Sequence, residues 1–177
     1  MIIKDRLLFL KYSLPCAKTL VKRGKISQKE VDDAIKLVGA GKLPRKGFEE
    51  VFEVANKECA EAARKMGKRQ IDSEVIRNYF LREHDRVVER RFRLMHDFDP
   101  KECKIYVGKV LEVKGSLAVV KTPLGVKEYK TILNPEIKEN DTVVVHYEYV
   151  VEGSKNLMGS GKKSGKKSGK ESGEDEQ

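Results

Sequence analysis

Apolar residues over the first hundred positions recur with the helical period, and the breaks between them carry helix-ending residues. They predict helices over 2–14 and 17–22, divided at Pro15 and closed before Gly24. Ser27 and Glu30 have capping-box spacing, the hydroxyl accepting a first-turn N–H while the glutamate reaches back. The helix they open has Val31, Ala34, Ile35 and Val38 on one stripe and stops at Gly39 to Gly41. A longer helix is predicted between Gly47 and Gly67, with Phe48, Val51, Phe52, Ala55, Cys59, Ala62 and Met66 on its buried side. On that stripe Cys59 reads as a small buried hydrophobe. Asp72 or Ser73 caps a third long helix that continues to about Met95, and Asp99-Pro100 separates it from the C-terminal part of the chain.

From Cys103 the period shortens towards two. Ile105, Val107, Leu111 and Val113 make one strand, Gly115-Ser116 a turn and residues 117–120 a fully apolar strand. Pro123-Leu124-Gly125 turns the chain into a third strand over 126–133, which Asn134-Pro135 ends. A long β-branched and aromatic strand over 142–151 places Val143, Val145, Tyr147, Tyr149 and Val151 on one face, with His146 and Glu148 on the exposed other. The predicted fold class is α+β: an N-terminal α-helical domain (1–99), a small antiparallel OB-like β-barrel (103–152) and a disordered tail (153–177).

Composition sharpens the tail and the compartment. From Ser154 onward the chain turns to Gly, Ser and Lys with a repeated Gly-Lys-Lys-Ser-Gly, a composition with nothing to bury. Of the net charge of +9, six lysines against four acidic residues in the tail leave +7 for the rest, a broad excess without a dense patch. The early apolar run at 7–10 is too short for a signal-peptide core or a membrane span, which points to a cytoplasmic protein with no membrane partner. Three scattered cysteines, at 16, 59 and 103, have neither zinc-finger nor disulfide-framework spacing.

No phosphate-binding loop, nucleophile elbow or HExxH is present, so no standard enzyme is indicated. Ionisable groups crowd between Arg82 and Asp99, where His84-Asp85 and His96-Asp97 lie twelve residues apart. On a continuous helix the two pairs differ by about 120° and would not converge, which favours a solvated, salt-bridged helix over a metal site. Arg82, Arg86, Arg90 and Arg93 share one side of it and could contact a partner protein or nucleic acid, although Glu83, Asp85 and Glu89 interleave with them.

The run Cys103-Lys-Ile-Tyr-Val-Gly108-Lys109-Val110, followed by Pro135-Glu-Ile137-Lys138-Glu-Asn140-Asp141-Thr-Val143-Val-Val-His146, resembles the HypC family of [NiFe]-hydrogenase maturation chaperones over about fifty residues. The N-terminal run Leu8-Phe9-Leu-Lys11-Tyr12-Ser-Leu14-Pro15 is similar, more faintly, to an uncharacterised family from hydrogenase-bearing prokaryotes. The resemblance implies a chaperone or scaffold whose partners are hydrogenase maturation proteins or the large-subunit precursor. It further implies that Cys103 and His146 hold an iron carrying carbonyl and cyanide, with no other cofactor. Lys101 and Lys104 would favour the Cys103 thiolate, and Glu148 could orient the His146 ring. Two departures stand out: the family cysteine follows the initiator methionine, and the family has Pro where Val107 stands here. The alternative is an RNA-binding small barrel, for which Tyr106, Tyr129, Tyr147 and Tyr149 are the available aromatics.

Overall fold

A computed structural model describes residues 1–95 and 99–153 of the chain. The predicted tail from Ser154 onward and the His96-Asp97 pair lie outside the described residues. The helical part comprises α1 (Arg6–Ser13), α2 (Ala17–Lys22), α3 (Gln28–Gly39), α4 (Glu53–Lys65), α5 (Ser73–Asn78), α6 (His84–Met95) and α7 (Pro100–Cys103). The capping box forms as expected, with the Ser27 hydroxyl accepting the Glu30 N–H at 3.2 Å and the Glu30 carboxylate accepting the Ser27 N–H at 3.1 Å. Two predicted helices are interrupted. Phe48–Val51 is a 3-10 turn that breaks at Phe52 before α4, and α5 runs into α6 through a π turn at Tyr79–Glu83.

Five strands follow: β1 (Ile105–Lys114), β2 (Leu117–Thr122), β3 (Gly125–Lys130), β4 (Thr142–His146) and β5 (Tyr149–Gly153). They close a barrel in the order β1-β2-β3-β5-β4. Four pairings are antiparallel; closure is made by a single parallel pair, Lys130 with Tyr149. Inside the barrel Val110, Ala118, Val120, Tyr129, Val143, Val145 and Val150 form one apolar cluster.

The strand faces differ from the predicted ones at two places. Tyr106 and Val110 face the interior and Val107 is exposed, and a register shift between Val110 and Glu112 leaves Leu111 exposed while returning Val113 to the interior side. The predicted strand over 142–151 is a hairpin. His146 pairs with Tyr149, and Tyr147 adopts φ +52 at the turn, a left-handed conformation that is costly for a bulky side chain. The reversal resets the alternation, so Val150 replaces Tyr147 and Tyr149 on the interior face.

The helices and the barrel share one core. Leu133, Val144 and Val151 are buried among the helical residues, with Ile105, Ile132 and Tyr149 packed against them. Beta strand β4 is therefore covered on both sides, by the barrel interior at Val143 and Val145 and by the helices at Val144. A charged strap crosses the same boundary: Arg77 donates to the buried Glu152 carboxylate at 2.7 Å, and the Tyr12 hydroxyl donates to its other oxygen at 2.7 Å. Burial, first, and the adjacent Glu152 charge push the Tyr12 phenol well above its ordinary range.

At the end of α3 the backbone of Gly39 meets the carbonyl oxygen of Ile132 so closely that any Cβ would collide with it. Gly39→Ala is expected to lower stability by about 1–3 kcal/mol, because the obstacle is backbone and cannot rotate away. Urea unfolding reads this; a wild-type midpoint would mean the helix and loop separate without cost. Among the described residues no helix is long and apolar enough to cross a membrane.

Candidate metal centre

Four side chains from four elements meet at the boundary between helices and barrel. Cys16 stands at the interruption between α1 and α2, where Pro15 lacks the N–H to continue the ladder and a 3-10 turn over Leu14–Cys16 redirects the chain. His84 opens α6 immediately after the π turn, a kind of insertion that recurs at functional sites. Cys103 is the last residue of α7, whose cap is Asp99, its carboxylate accepting the Lys101 N–H at 2.8 Å. His146 ends β4.

One donor atom from each of these residues lies within 4.8 Å of every other. The two sulfurs are 3.8 Å apart, and Cys16 Sγ is 3.3 Å from His146 Nε2. A tetrahedral ion with bonds of about 2.3 Å to sulfur and about 2.0–2.1 Å to nitrogen separates two sulfurs by roughly 3.8 Å, and a sulfur from a nitrogen by roughly 3.6 Å. The two separations, 3.8 Å between the sulfurs and 3.3 Å between sulfur and nitrogen, are close to those a Cys2His2 ion would set.

The imidazoles are oriented as metal ligands are. His146 Nδ1–H donates to the Tyr12 carbonyl oxygen at 2.9 Å, which leaves Nε2 as the donor facing the sulfurs. His84 Nδ1 lies 3.3 Å from the Asp85 carboxylate, whose same oxygen accepts the Ile105 N–H at 3.2 Å. Asp85 thus joins α6 to the start of β1. Asp85→Ala is expected to weaken metal binding roughly 10- to 100-fold, the usual effect of losing such an orienting partner. Competition against a chelator of known affinity measures it, and unchanged affinity would show that the ring needs no support from Asp85.

The protonation pattern follows from the contacts. Cys103 is held far below the usual thiol range, chiefly by the hydrogen bond from Cys16, with His146 and His84 also favouring the thiolate against the opposing effect of burial. Cys16 is pushed well above that range because it supplies the shared proton and, half-buried, is partly desolvated beside the Cys103 charge. Burial is the largest influence on both imidazoles: it holds His146 below its ordinary value, whereas at His84 it is outweighed by Asp85 and Cys103, which raise the value. A divalent ion would take the place of the shared proton and accept both sulfurs as thiolates.

The structure brings Cys103 and His146 together and adds Cys16 and His84 to them. His146 is fully buried, not exposed, because the helices cover the outer side of β4. Its orienting partner is the Tyr12 carbonyl, while Glu148 pairs with Lys130 at 3.1 Å. Lys104 is likewise turned to Glu89, so the support for the Cys103 thiolate comes from the cluster itself. His84 is also buried, at 4% exposure, and does not lie on a solvated face. Its position had a signal: it stands four residues after Phe80 and four before Val88, inside the stripe that buries α5 and α6. Cys16 had none beyond its place beside Pro15 in an apolar run.

Arg82, Arg86, Arg90 and Arg93 are exposed, and Arg90 pairs with Glu58 at 2.9 Å. Of the barrel tyrosines, Tyr129 is buried in the barrel and Tyr147 beside the cluster, while Tyr106 and Tyr149 are half-buried. No protein-family model matches the chain, and no curated protein matches it.

Proposed function

We propose that this protein is a metal-centred assembly factor that holds one divalent transition ion between Cys16, His84, Cys103 and His146 and works as a HypC-like chaperone or scaffold. The observation that carries the reading is the convergence of four donors from four elements, with the two sulfurs at 3.8 Å. Thiolate with imidazole suits Zn2+ or Fe2+, and hard-ion sites of the Mg2+ or Ca2+ kind use oxygen donors instead. An ion held there ties the turn between α1 and α2 to α6, α7 and β4 at one point and fixes the helices on the barrel. The exposed arginine side of α6 would then face hydrogenase maturation proteins or the large-subunit precursor.

The carrier version of this function makes Cys103 and His146 the ligands of an iron bearing carbonyl and cyanide. It is supported by the meeting of the two residues on which the resemblance rests. Burial of His84, Cys103 and His146, with Cys16 half-buried beside them, favours a resident ion over cargo. RNA binding is supported less well, because two of the four barrel tyrosines are buried and a stacking platform needs exposed rings.

Protein purified without oxygen from a hydrogenase-making host, beside Cys103→Ala and His146→Ala, separates these readings by metal content and infrared absorption. One zinc or iron per wild-type chain without diatomic bands supports a resident centre. Carbonyl and cyanide bands that vanish in both variants support the carrier. Wild-type protein that takes up no zinc or iron, even when either is supplied, would overturn the metal reading altogether.

A further inference from the structure

Cys16 and Cys103 stand 87 residues apart in the chain, yet their sulfurs are 3.8 Å from each other and both cysteines are free. A disulfide holds its sulfurs at about 2.05 Å, so a further approach of about 1.8 Å would form one. Both residues are placed to make that approach. Cys16 ends the 3-10 turn over Leu14–Cys16, and Cys103 is the last residue of the four-residue helix α7, so neither sulfur is carried on the interior of a long element. An oxidant also has a way in. A cavity of about 170 Å³ is bounded by Cys16, His84 and Cys103 and equally by exposed Lys25 and Glu53, so it connects the cluster with solvent. A water molecule needs only about 10–15 Å³ of such space, and a molecule with two oxygens passes easily. Cys16 is half-buried, whereas Cys59, the third cysteine, is fully buried on α4 in the helical core.

We propose that Cys16 and Cys103 are a modification site for hydrogen peroxide, which joins them as a disulfide and so expels a zinc ion held in the centre. Cys16, the more exposed of the two, reacts first. Its sulfur attacks one peroxide oxygen, the O–O bond breaks and hydroxide leaves, which makes Cys16 a sulfenic acid. The Cys103 sulfur then attacks the Cys16 sulfur; the S–S bond forms, the S–O bond breaks and a second hydroxide leaves. Two protons from solvent turn both hydroxides into water. The sulfurs give up two electrons in all and the peroxide takes them, so the zinc ion leaves with its charge unchanged. Cysteine binds such an ion as thiolate, and the disulfide leaves it only the imidazoles of His84 and His146. The expulsion rests on the metal reading; the joining of the sulfurs does not, because it needs only their proximity.

The test uses the full-length chain purified without oxygen, loaded with zinc in one sample and stripped by a chelator in another, each treated with a small excess of hydrogen peroxide. A chromogenic chelator reads the zinc released, and peptide mapping without reduction reads the linkage. The stripped chain is expected to give an intrachain pair, Cys16 joined to Cys103, with Cys59 unmodified. The loaded chain should give the same pair with all its zinc released, and reduction followed by fresh zinc should restore full loading. Cys103→Ser should form no pair and should instead hold a sulfenic acid at Cys16 that dimedone labels. Separate sulfinic or sulfonic acids with no link, a link through Cys59 or between two chains, or sulfurs left untouched in the stripped chain would each overturn the site. Linked protein that keeps its zinc would overturn the expulsion. A chain that takes up no zinc yet forms the pair would remove the metal reading and uphold the disulfide site.

Discussion

Cys103→Ala is expected to leave the protein without its metal and to lower its melting temperature by roughly 8–16 °C relative to the metal-loaded wild type. An ion bound at a thousandfold excess over its Kd stabilises the folded state by about 4.1 kcal/mol, and each kcal/mol moves the melting temperature of a chain of this size by about 2–4 °C. Cys103 is the right position to remove. It is the side chain held as a thiolate before metal arrives, and the hydrogen bond from Cys16 and the imidazoles of both histidines converge on it. The control is the chelated wild type, which should melt close to the variant. If chelation leaves the wild-type melting temperature unchanged, the ion does not hold the helices to the barrel, whatever its occupancy.

Arg77→Ala is expected to destabilise the fold by about 3–5 kcal/mol, the cost of stranding a buried carboxylate without its cation. Glu152 is 3% exposed, and its remaining partner would be the Tyr12 hydroxyl, a neutral donor. Replacing both charges, as in Arg77→Met with Glu152→Leu, should be milder than Arg77→Ala alone, because no uncompensated charge then remains inside. The strap also bears on the metal centre, since the Tyr12 carbonyl accepts from His146 Nδ1. Metal affinity should therefore fall in Arg77→Ala even though Arg77 contacts no ligand. Denaturant unfolding and chelator competition on the same samples read both effects; a single variant less damaging than the double one would contradict the strap.

Much of the fold was legible because each element carries its own period and its own stop. The capping box at Ser27, the stripe of α3 and the buried Cys59 all stand where local spacing places them, with Cys59 fully buried. What could not be read was any feature set by two elements meeting. Beta strand β4 has helices on its outer side, so the alternation that assigned His146 to solvent describes an uncovered strand and fails for a covered one. Tyr147 turns the chain in a left-handed conformation that its residue type does not announce. Of the four clustered side chains, Cys103 and His146 were singled out through the resemblance, whereas Cys16 and His84 lie in the helical part with no ligand spacing between them. Their convergence depends on the interruption at Pro15, the π turn before His84 and the packing of the barrel on both.

The central claim is that two sulfurs and two imidazole nitrogens share one ion, and X-ray absorption at the metal edge of the loaded protein tests it most directly. Two sulfur neighbours at about 2.3 Å and two nitrogen neighbours at about 2.0–2.1 Å are expected, with the sulfur contribution halved in Cys16→Ser. A shell of oxygen and nitrogen alone, or a sulfur count that Cys16→Ser leaves intact, would contradict the site.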